Sequence, residues 1–262
     1  MEYINTFLNL SAFTEAKPNL PNPSLSLIEN TNQVYYIKKQ LIKVTLNVPS
    51  KFNNKEFPLG GFEYNEASST TKQHVFPKEL CEDVIIDGVS VGPINTYTFT
   101  AGKHIVEYAM KDETKVVDTQ FFDFDILGIE SVEIPDSVTS IGDNAFVGCS
   151  GLTAFKLPID ITSIGYGAFV GCSGLKTVDL TSYSKLTSIG DGAFAGCTGL
   201  TSITIPERIT LIGSYTFDSC SSLTEVTYKG KIYTSKRELL NDLRSNNVET
   251  GSYAFDNTGL GV

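Results

Sequence analysis

The chain has 262 residues, of which 41% are hydrophobic and 19% charged, a composition typical of a folded globular protein. Its formal net charge is −10, and Lys and Arg cluster in nothing longer than pairs. This excludes the concentrated basic surface that nucleic acids and anionic membranes require. No apolar run approaches the ~20 residues of a membrane-spanning helix, so we expect no membrane insertion.

The N-terminal region is predicted to be mostly β. Residues 1–30 contain Pro18, Pro21 and Pro23 and are predicted to form an irregular arm or linker, with one edge strand as the alternative to a wholly irregular arm. About seven short segments rich in β-branched and aromatic residues follow within roughly 85 residues. This spacing predicts an antiparallel β-sandwich of immunoglobulin-like type over residues 31–112. The chain has no Trp, which excludes an antibody-type domain.

Two hairpins are predicted within this region. Asp87-Gly88 lies between two apolar segments, which is a strong short-range hairpin signal. A second hairpin is predicted around Gly102, because strand-like alternation occurs on both sides of it.

The C-terminal half repeats one motif. Its clearest copy runs from Leu200 to Cys220 and contains Ile-x-Ile-Pro, then Ile-x-x-Ile-Gly, then Phe-x-x-Cys. The cysteines of successive copies are 23, 25 and 23 residues apart, and such a period indicates stacked supersecondary units. The copies begin at Ile129, Leu152, Leu175, Leu200 and Leu223, the last of which departs from the motif.

Both ends of the repeat array are degenerate, as expected of capping units. Upstream of residue 129, Val117, Phe122 and Asp125 take the places of the repeat Ile, Phe and Cys. Downstream, a capping box at residues 235–238 predicts a helical insertion near 235–246. Ala254-Phe255 then resumes the motif as a C-terminal cap. The whole array is predicted to span residues 113–262 as a solenoid of parallel strands.

Each motif position has a predicted structural role. Pro ends the strand, Ala-Phe fills the core, and the Gly after the second Ile is expected to adopt positive φ. These glycines are Gly142, Gly165, Gly190 and Gly213. The cysteine column is interpreted as buried thiols, with a disulfide or metal site as the alternative, and Cys81 as a core residue. The cysteines are Cys149, Cys172, Cys197 and Cys220.

The repeated string Ile-Pro-x-x-Val/Ile-Thr-x-Ile-Gly-x-x-Ala-Phe-x-Gly-Cys-Ser/Thr-Gly-Leu strongly resembles the BspA-like class of leucine-rich repeats. The resemblance covers residues 129–228 and extends, with degenerate ends, over residues 113–262. It implies a secreted or surface-attached bacterial protein with a role in adhesion to host or matrix proteins or to other cells. The segment from Gly102 to Tyr108 also resembles the small β-domain that precedes the repeats in some relatives.

Residues that could support catalysis are few. His74 and His104 lack partners at metal-ligand spacing and are interpreted as structural or solvated. Asp123 and Asp125 could suit calcium, but no calcium-loop pattern surrounds them. A cysteine repeated at one core position does not fit a nucleophile, which is needed only once. We therefore expect no enzyme activity, no cofactor and no metal.

Partner binding is expected on the outward side chains of the repeat strands. These residues should align in columns across the sheet, and no deep pocket is implied. The alternative is an ordinary solvated face. One predicted column is Ser131, Ala154, Thr177, Ser202 and Glu225, and its neighbour is Glu133, Lys156, Asp179, Thr204 and Thr227. Tyr183, in the longer repeat, is the additional aromatic candidate.

Two functions remain open at this point. The first is a non-enzymatic, extracellular or cell-surface protein that binds a protein or glycan through the solenoid face. The second is a stalk or spacer that displays another domain. No signal-peptide pattern is visible near Met1, so we expect any secretion signal to lie outside this sequence.

Overall fold

The structure is a computed structural model that describes eleven stretches of the chain. These are residues 8–9, 25–30, 33–38, 41–58, 62–64, 71–73, 81–92, 96–110, 116–117, 128–183 and 185–261.

The N-terminal strands are short and form antiparallel ladders. They are β1 (Leu8–Asn9), β2 (Leu25–Asn30), β3 (Gln33–Lys38), β4 (Leu41–Val48), β5 (Lys55–Pro58), β6 (Phe62–Tyr64), β7 (Thr71–Gln73), β8 (Cys81–Ile86), β9 (Val89–Ser90), β10 (Thr96–Phe99) and β11 (Gly102–Met110). A 3-10 helix at Ser50–Phe52 follows β4. Three small sheets have the strand orders β1-β3-β2, β10-β5 and β6-β7.

One of the two predicted hairpins is present. β8 and β9 pair across Asp87 and Gly88, whose φ values of 51° and 83° are those of a tight hairpin turn. The prediction of a hairpin around Gly102 was wrong, because β10 pairs with β5 whereas β11 pairs with β4 and β8. Alternation determines which face of a strand is buried, but it does not determine which strand lies alongside.

The repeats form the expected solenoid, so the mainly-β fold with parallel repeat strands is confirmed. One side of the solenoid is a six-stranded parallel sheet, in which Ile141, Ile164, Ile189 and Ile212 are register partners. The strands of this sheet are β12 (Val116–Val117), β14 (Ser140–Ile141), β16 (Ser163–Ile164), β18 (Ser188–Ile189), β20 (Leu211–Ile212) and β23 (Glu249–Thr250). Val117 pairs with Ile141, which confirms its predicted place, whereas Phe122 and Asp125 lie outside the described residues.

The strands on the other side of the solenoid carry the predicted columns. They are β13 (Ile129–Glu133), β15 (Ala154–Lys156), β17 (Thr177–Asp179), β19 (Ser202–Ile205), β21 (Glu225–Tyr228) and the antiparallel β22 (Lys231–Tyr233). Strands β17-β19-β21-β22 form one sheet. Strands β13 and β15 belong instead to a second sheet of order β15-β13-β4-β11-β8-β9. The strand side is therefore divided between β15 and β17.

Hydrogen bonding crosses the predicted boundary between the N-terminal region and the solenoid. β13 runs parallel to β15 on one side and antiparallel to β4 on the other, with Val132 opposite Val44. Both residues are buried in a core that is continuous from β4 to the last coil. The immunoglobulin-like arrangement stays a prediction, since much of residues 31–112 lies outside the described stretches.

A column of aromatic rings runs through the solenoid core. Phe146, Phe169, Phe194, Phe217 and Phe255 stack face to face, with successive ring centroids 5.0, 5.2, 5.6 and 5.0 Å apart. The rings are nearly completely buried. This spacing is close to the ~4.8 Å between neighbouring strands, so each coil adds one ring to the stack.

The glycines after the second Ile have a different role from the one predicted. Gly142, Gly165, Gly190 and Gly213 do not have positive φ. A Cβ added to Gly190 would instead lie 2.7 Å from the carbonyl carbon of Gly165, one coil earlier. A Cβ added to Gly165 would lie 2.7 Å from the carbonyl carbon of Gly142, and one added to Gly213 would lie 2.6 Å from the carbonyl carbon of Gly190. Glycine is needed here because the backbones of successive coils approach closely.

The repeat cysteines are buried and form no disulfides with one another, as predicted. The thiols of Cys172, Cys197 and Cys220 each donate to the backbone carbonyl of the Phe in the preceding coil, at 3.1–3.2 Å. The neighbouring Cys220 thiol, together with burial, raises the pKa of Cys197 well above its usual range. The side chain of Cys81 lies outside the described part.

A helix, α1 (Lys236–Ser245), packs between β22 and β23. Ser235 is its N-cap and accepts a hydrogen bond from the Glu238 amide, as the capping-box signal predicted. Leu239 and Leu243 are fully buried, which fixes the helix against the end of the solenoid. Burial is the main cause that raises the pKa of Tyr233 to about 12. The hydrogen bond that its hydroxyl donates to Asp242 of α1 raises this pKa further in the same direction.

The glycine contacts predict a position-specific stability effect. Gly190→Ala should lower the free energy of unfolding by about 2–3 kcal/mol, because its Cβ would overlap the backbone of the preceding coil. The control is Gly148→Asn, where φ is 74° and an added Cβ meets nothing within 4 Å. Asn257 occupies the equivalent position of the last coil at φ 53°. Urea unfolding followed by circular dichroism should show a shifted midpoint only for Gly190→Ala, and equal midpoints would contradict this assignment.

The cysteine column predicts protection from thiol reagents. In a Cys81→Ala variant, the four repeat cysteines should not react with Ellman's reagent in the native state. All four should react in about 6 M guanidinium, which is well above the unfolding midpoints of ordinary domains. Rapid native-state labelling of any of them would show that the column opens to solvent.

Candidate functional site

The strand face consists of the outward residues of five repeat strands. We use this name for Ser131, Glu133, Ala154, Lys156, Thr177, Asp179, Ser202, Thr204, Glu225 and Thr227. None of these side chains is buried, whereas the residue between each pair in the chain, such as Val178 or Ile203, points into the core. The alternation follows from the pleat of a β-strand.

The register within each sheet aligns the two columns. Ser131 pairs with Ala154, and Glu133 with Lys156. In the second sheet, Thr177, Ser202 and Glu225 are partners, as are Asp179, Thr204 and Thr227. The structure thus brings each predicted column together in two blocks, separated at the junction of β15 and β17.

Tyr183 occupies that junction. In the first coil, the Ile134 amide donates to the Lys156 carbonyl of the next coil, but the equivalent Leu157 amide donates to the Tyr183 hydroxyl at 3.1 Å. Tyr183 is half-buried and packs against the core. Tyr183 therefore replaces, through its hydroxyl, the backbone acceptor that the longer repeat does not supply at this position.

Asp179 also has a local structural role. Its Oδ1 accepts hydrogen bonds from the Thr181 amide at 2.9 Å and from the Thr181 hydroxyl at 2.6 Å. This pattern is that of an Asx-type turn, which starts the chain's departure from β17. An asparagine would preserve it, because the accepting atom is a single oxygen.

The strand face continues onto the N-terminal strands, which the sequence did not predict. Lys43 of β4 is opposite Glu133, and Glu107 of β11 is opposite Lys43. The row Glu107, Lys43, Glu133 and Lys156 therefore alternates in charge across four strands. Opposite charges at such positions stabilise a sheet by about 0.2–1 kcal/mol per pair. The alternation in β4 indicated that Lys43 points outward, but only the pairing of β4 with β13 places it beside Glu133.

A cluster of polar side chains fixes the point where the two regions join. Lys103 forms a salt bridge with Glu130 at 2.8 Å, and the Asn47 side-chain amide donates to the same carboxylate at 3.0 Å. The hydrogen bond from Lys103 holds the pKa of Glu130 below its usual range. The Asn47 backbone amide also donates to the Gly128 carbonyl. The strand face is therefore held in register across the junction.

The contacts of His104 are those of a residue that stabilises the fold. His104 Nδ1 lies 2.7 Å from Asp87 Oδ2, its Nε2 lies 2.9 Å from the Thr100 carbonyl, and its ring contacts Phe99. These contacts connect the β8–β9 turn to the start of β11. His74, Asp123 and Asp125 lie outside the described residues.

The described residues do not assemble a site for metal chemistry. Over these stretches, no group of three or more His, Cys, Asp or Glu side chains is arranged to hold a metal ion. Within the same residues, no helix combines the length and hydrophobicity needed to cross a bilayer.

Comparison with known proteins agrees with this geometry. The model of the BspA type leucine-rich repeat region matches residues 51–153 and 120–246, with six copies. The chain belongs to the BspA-type leucine-rich repeat family. The match begins at residue 51, so it includes β8, β9 and β11 of the extended sheet but not β4, the strand that pairs with β13.

Solved structures of bacterial leucine-rich repeat proteins are similar to parts of the chain. A leucine rich cell surface protein from Faecalibacterium prausnitzii A2-165 is 33% identical over 51% of this chain and 32% of its own, with a TM-score of 0.43. The leucine-rich repeat protein of T. pallidum is 23% identical over 53% of this chain and 79% of its own, with a TM-score of 0.38. The pneumococcal vaccine antigen PcpA is 19% identical over 55% of this chain and 45% of its own, with a TM-score of 0.32.

The chain thus covers about a third of the Faecalibacterium protein. No curated protein matches it.

The role of Tyr183 predicts a local effect of removing its hydroxyl. Tyr183→Phe should leave the Leu157 amide without its partner and destabilise the protein by about 1 kcal/mol. Amide hydrogen exchange measured by NMR should show faster exchange at Leu157, with little change at Ile134. Tyr166→Phe is the control, because Tyr166 is 58% exposed. Unchanged exchange at Leu157 would show that Tyr183 does not complete the ladder.

Proposed function

We propose that this protein is a non-enzymatic, secreted or cell-surface protein of bacteria that binds a macromolecular partner through the strand face, as an adhesin does. The observation that carries the proposal is the strand face itself. Its side chains are accessible and in register within two blocks, one over β13 and β15 and one over β17, β19 and β21, and the first block continues onto β4 and β11. The proposed location follows from the family, whose repeats are typical of secreted and surface-attached bacterial proteins.

The chemistry of the strand face favours an extended protein or glycan surface as the partner. Its residues are mostly polar and carry both charges, whereas a small-molecule site is usually lined by apolar and aromatic side chains. The rigid core fixes their positions, so binding would cost little ordering of the protein. Tyr183 lies half-buried in the middle of the face, and Ile232, 60% exposed and opposite Thr227, extends the second column at its end.

The proposal predicts that binding depends on the charged residues of the face. The protein would be screened on arrays of matrix proteins and glycans, and the affinity for any ligand measured for Glu133→Gln, Lys156→Gln and Asp179→Asn combined. We expect at least a tenfold loss, because these three side chains lie at the centre of the face. Asp179→Asn keeps the acceptor oxygen for Thr181, so the fold should be preserved.

A matched control removes the same charges elsewhere. Arg237→Gln, Glu238→Gln and Glu249→Gln, combined, alter exposed residues of α1 and β23 and should leave the affinity unchanged. Equal affinities of both triple variants would contradict binding through the strand face. A folded protein without any array ligand would contradict the binding function and favour a stalk or spacer.

A further inference from the structure

A pair of stacked tyrosines is exposed on the turn side of the solenoid, away from the strand face. The rings of Tyr215 and Tyr253 have centroids 5.1 Å apart and an interplanar angle of 24°. They are 49% and 56% exposed, respectively. The stack belongs to the coils of β20 and β23, and each tyrosine lies two residues before the buried Phe of its coil.

The backbone at this position makes tyrosine an unusual choice. The five coils in which this position is described all have positive φ here, and the residues are Asn144 (56°), Gly167 (59°), Gly192 (62°), Tyr215 (56°) and Tyr253 (60°). Asn and Gly adopt this conformation readily, whereas an aromatic residue is strained in it. Neither ring is buried in the core, so the fold alone does not account for two strained tyrosines in successive coils.

The coil before Tyr215 leaves space beside its ring. The residue at the equivalent position is Gly192, whose amide donates to the Ser214 carbonyl at 2.8 Å. A Cβ added to Gly192 would meet only the Ala195 Cβ, at 4.0 Å. Tyr253 covers one face of the Tyr215 ring, and no side chain from position 192 covers the other. We call the space bordered by Gly192, Ala195 and Tyr215 the tyrosine notch.

One carboxylate borders the tyrosine notch, and a second lies on the same turn as Tyr215. Asp191 precedes Gly192, and its Oδ1 accepts a hydrogen bond from the Ser214 amide at 2.7 Å, beside Tyr215. Asp218 is on the same turn as Tyr215, because its amide donates to the Tyr215 carbonyl. Its carboxylate accepts hydrogen bonds from the Asn257 side-chain amide of the last coil at 2.8 Å and from the Ser219 hydroxyl at 2.9 Å, so it adds negative charge near the stack without bordering the notch. The salt bridges among the described residues do not include either carboxylate. The notch therefore combines a flat aromatic wall with negative charge.

We propose that the tyrosine notch binds the guanidinium group of an arginine presented by an exposed, basic segment of a partner protein. A guanidinium is planar and can stack on Tyr215, as the ring of Tyr253 does on the other face. It is also cationic, and its N–H groups can donate hydrogen bonds to the carboxylate of Asp191. A neutral sugar ring would stack on the tyrosine but leave the Asp191 carboxylate without a counter-charge. This site is separate from the strand face and does not depend on it.

The test uses three immobilised peptides, in which glycine alternates with four arginines, four lysines or four citrullines. Citrulline keeps the planar shape of arginine and removes its charge. Binding of the full chain would be measured by biolayer interferometry at low and high salt. We expect the arginine peptide to bind at least fivefold more tightly than the lysine peptide, the citrulline peptide not to bind, and salt to weaken the interaction.

The variants Tyr215→Asn and Gly192→Asn locate the binding site. Asn144 has nearly the same φ in an earlier coil, so both variants should fold. Tyr215→Asn removes the aromatic wall and Gly192→Asn fills the notch, and each should lower the affinity for the arginine peptide about fivefold or more. Val89→Thr, which changes a 64% exposed residue in the N-terminal sheet, is the control.

Several results would overturn the proposal. One is equal binding of the citrulline and arginine peptides, and another is unchanged affinity of Tyr215→Asn. Binding of a neutral oligosaccharide that is lost in Tyr215→Asn, without binding of the arginine peptide, would assign the notch to glycans instead.

Discussion

Successive coils of the solenoid approach closely through backbone atoms at two glycine positions in each turn, one after the second Ile and one before the Leu that starts the next repeat, as at Gly174 and Gly199. The glycines after the second Ile, among them Gly165, Gly190 and Gly213, allow this approach, because any side chain would overlap the preceding coil. The approach sets the distance between coils, which in turn places the phenylalanine rings in stacking contact and each cysteine thiol within reach of a carbonyl one coil earlier. Core packing and hydrogen bonding both depend on that contact, since neither can be formed within one coil.

The same stacking explains why the N-terminal strands are coupled to the repeats. A parallel stack has an open edge at its first strand, and such an edge exposes unpaired backbone groups. β4 covers the edge of β13 by pairing with it antiparallel, and the contacts of Glu130 with Lys103 and Asn47 hold the two together. The N-terminal strands therefore act as a cap for the solenoid and also enlarge its outer face.

Within each coil, different residues build the stack and form the outer surface. The residues that define the motif are buried or allow close backbone contact, so their side chains are not available to contact a partner. Outward residues vary from coil to coil, which allows charges to alternate along the row from Glu107 to Lys156. It also allows tyrosines to replace Asn and Gly at the left-handed turn position. The proposed binding surfaces thus consist of residues that the repeat motif does not specify.

The amino-acid sequence alone was sufficient to predict the repeats, the buried thiols, the α1 helix and the outward columns. These features depend on local periodicity, and each copy of the motif confirms the others. Three features required the tertiary structure: the pairing of β4 with β13, the insertion of Tyr183 at the junction of β15 and β17, and the true role of Gly190. All three depend on which backbone lies alongside another, and residues far apart in the chain decide that. A single sequence carries little signal for such long-range register, so only the folded chain shows where the strand face begins and where Tyr215 is left uncovered.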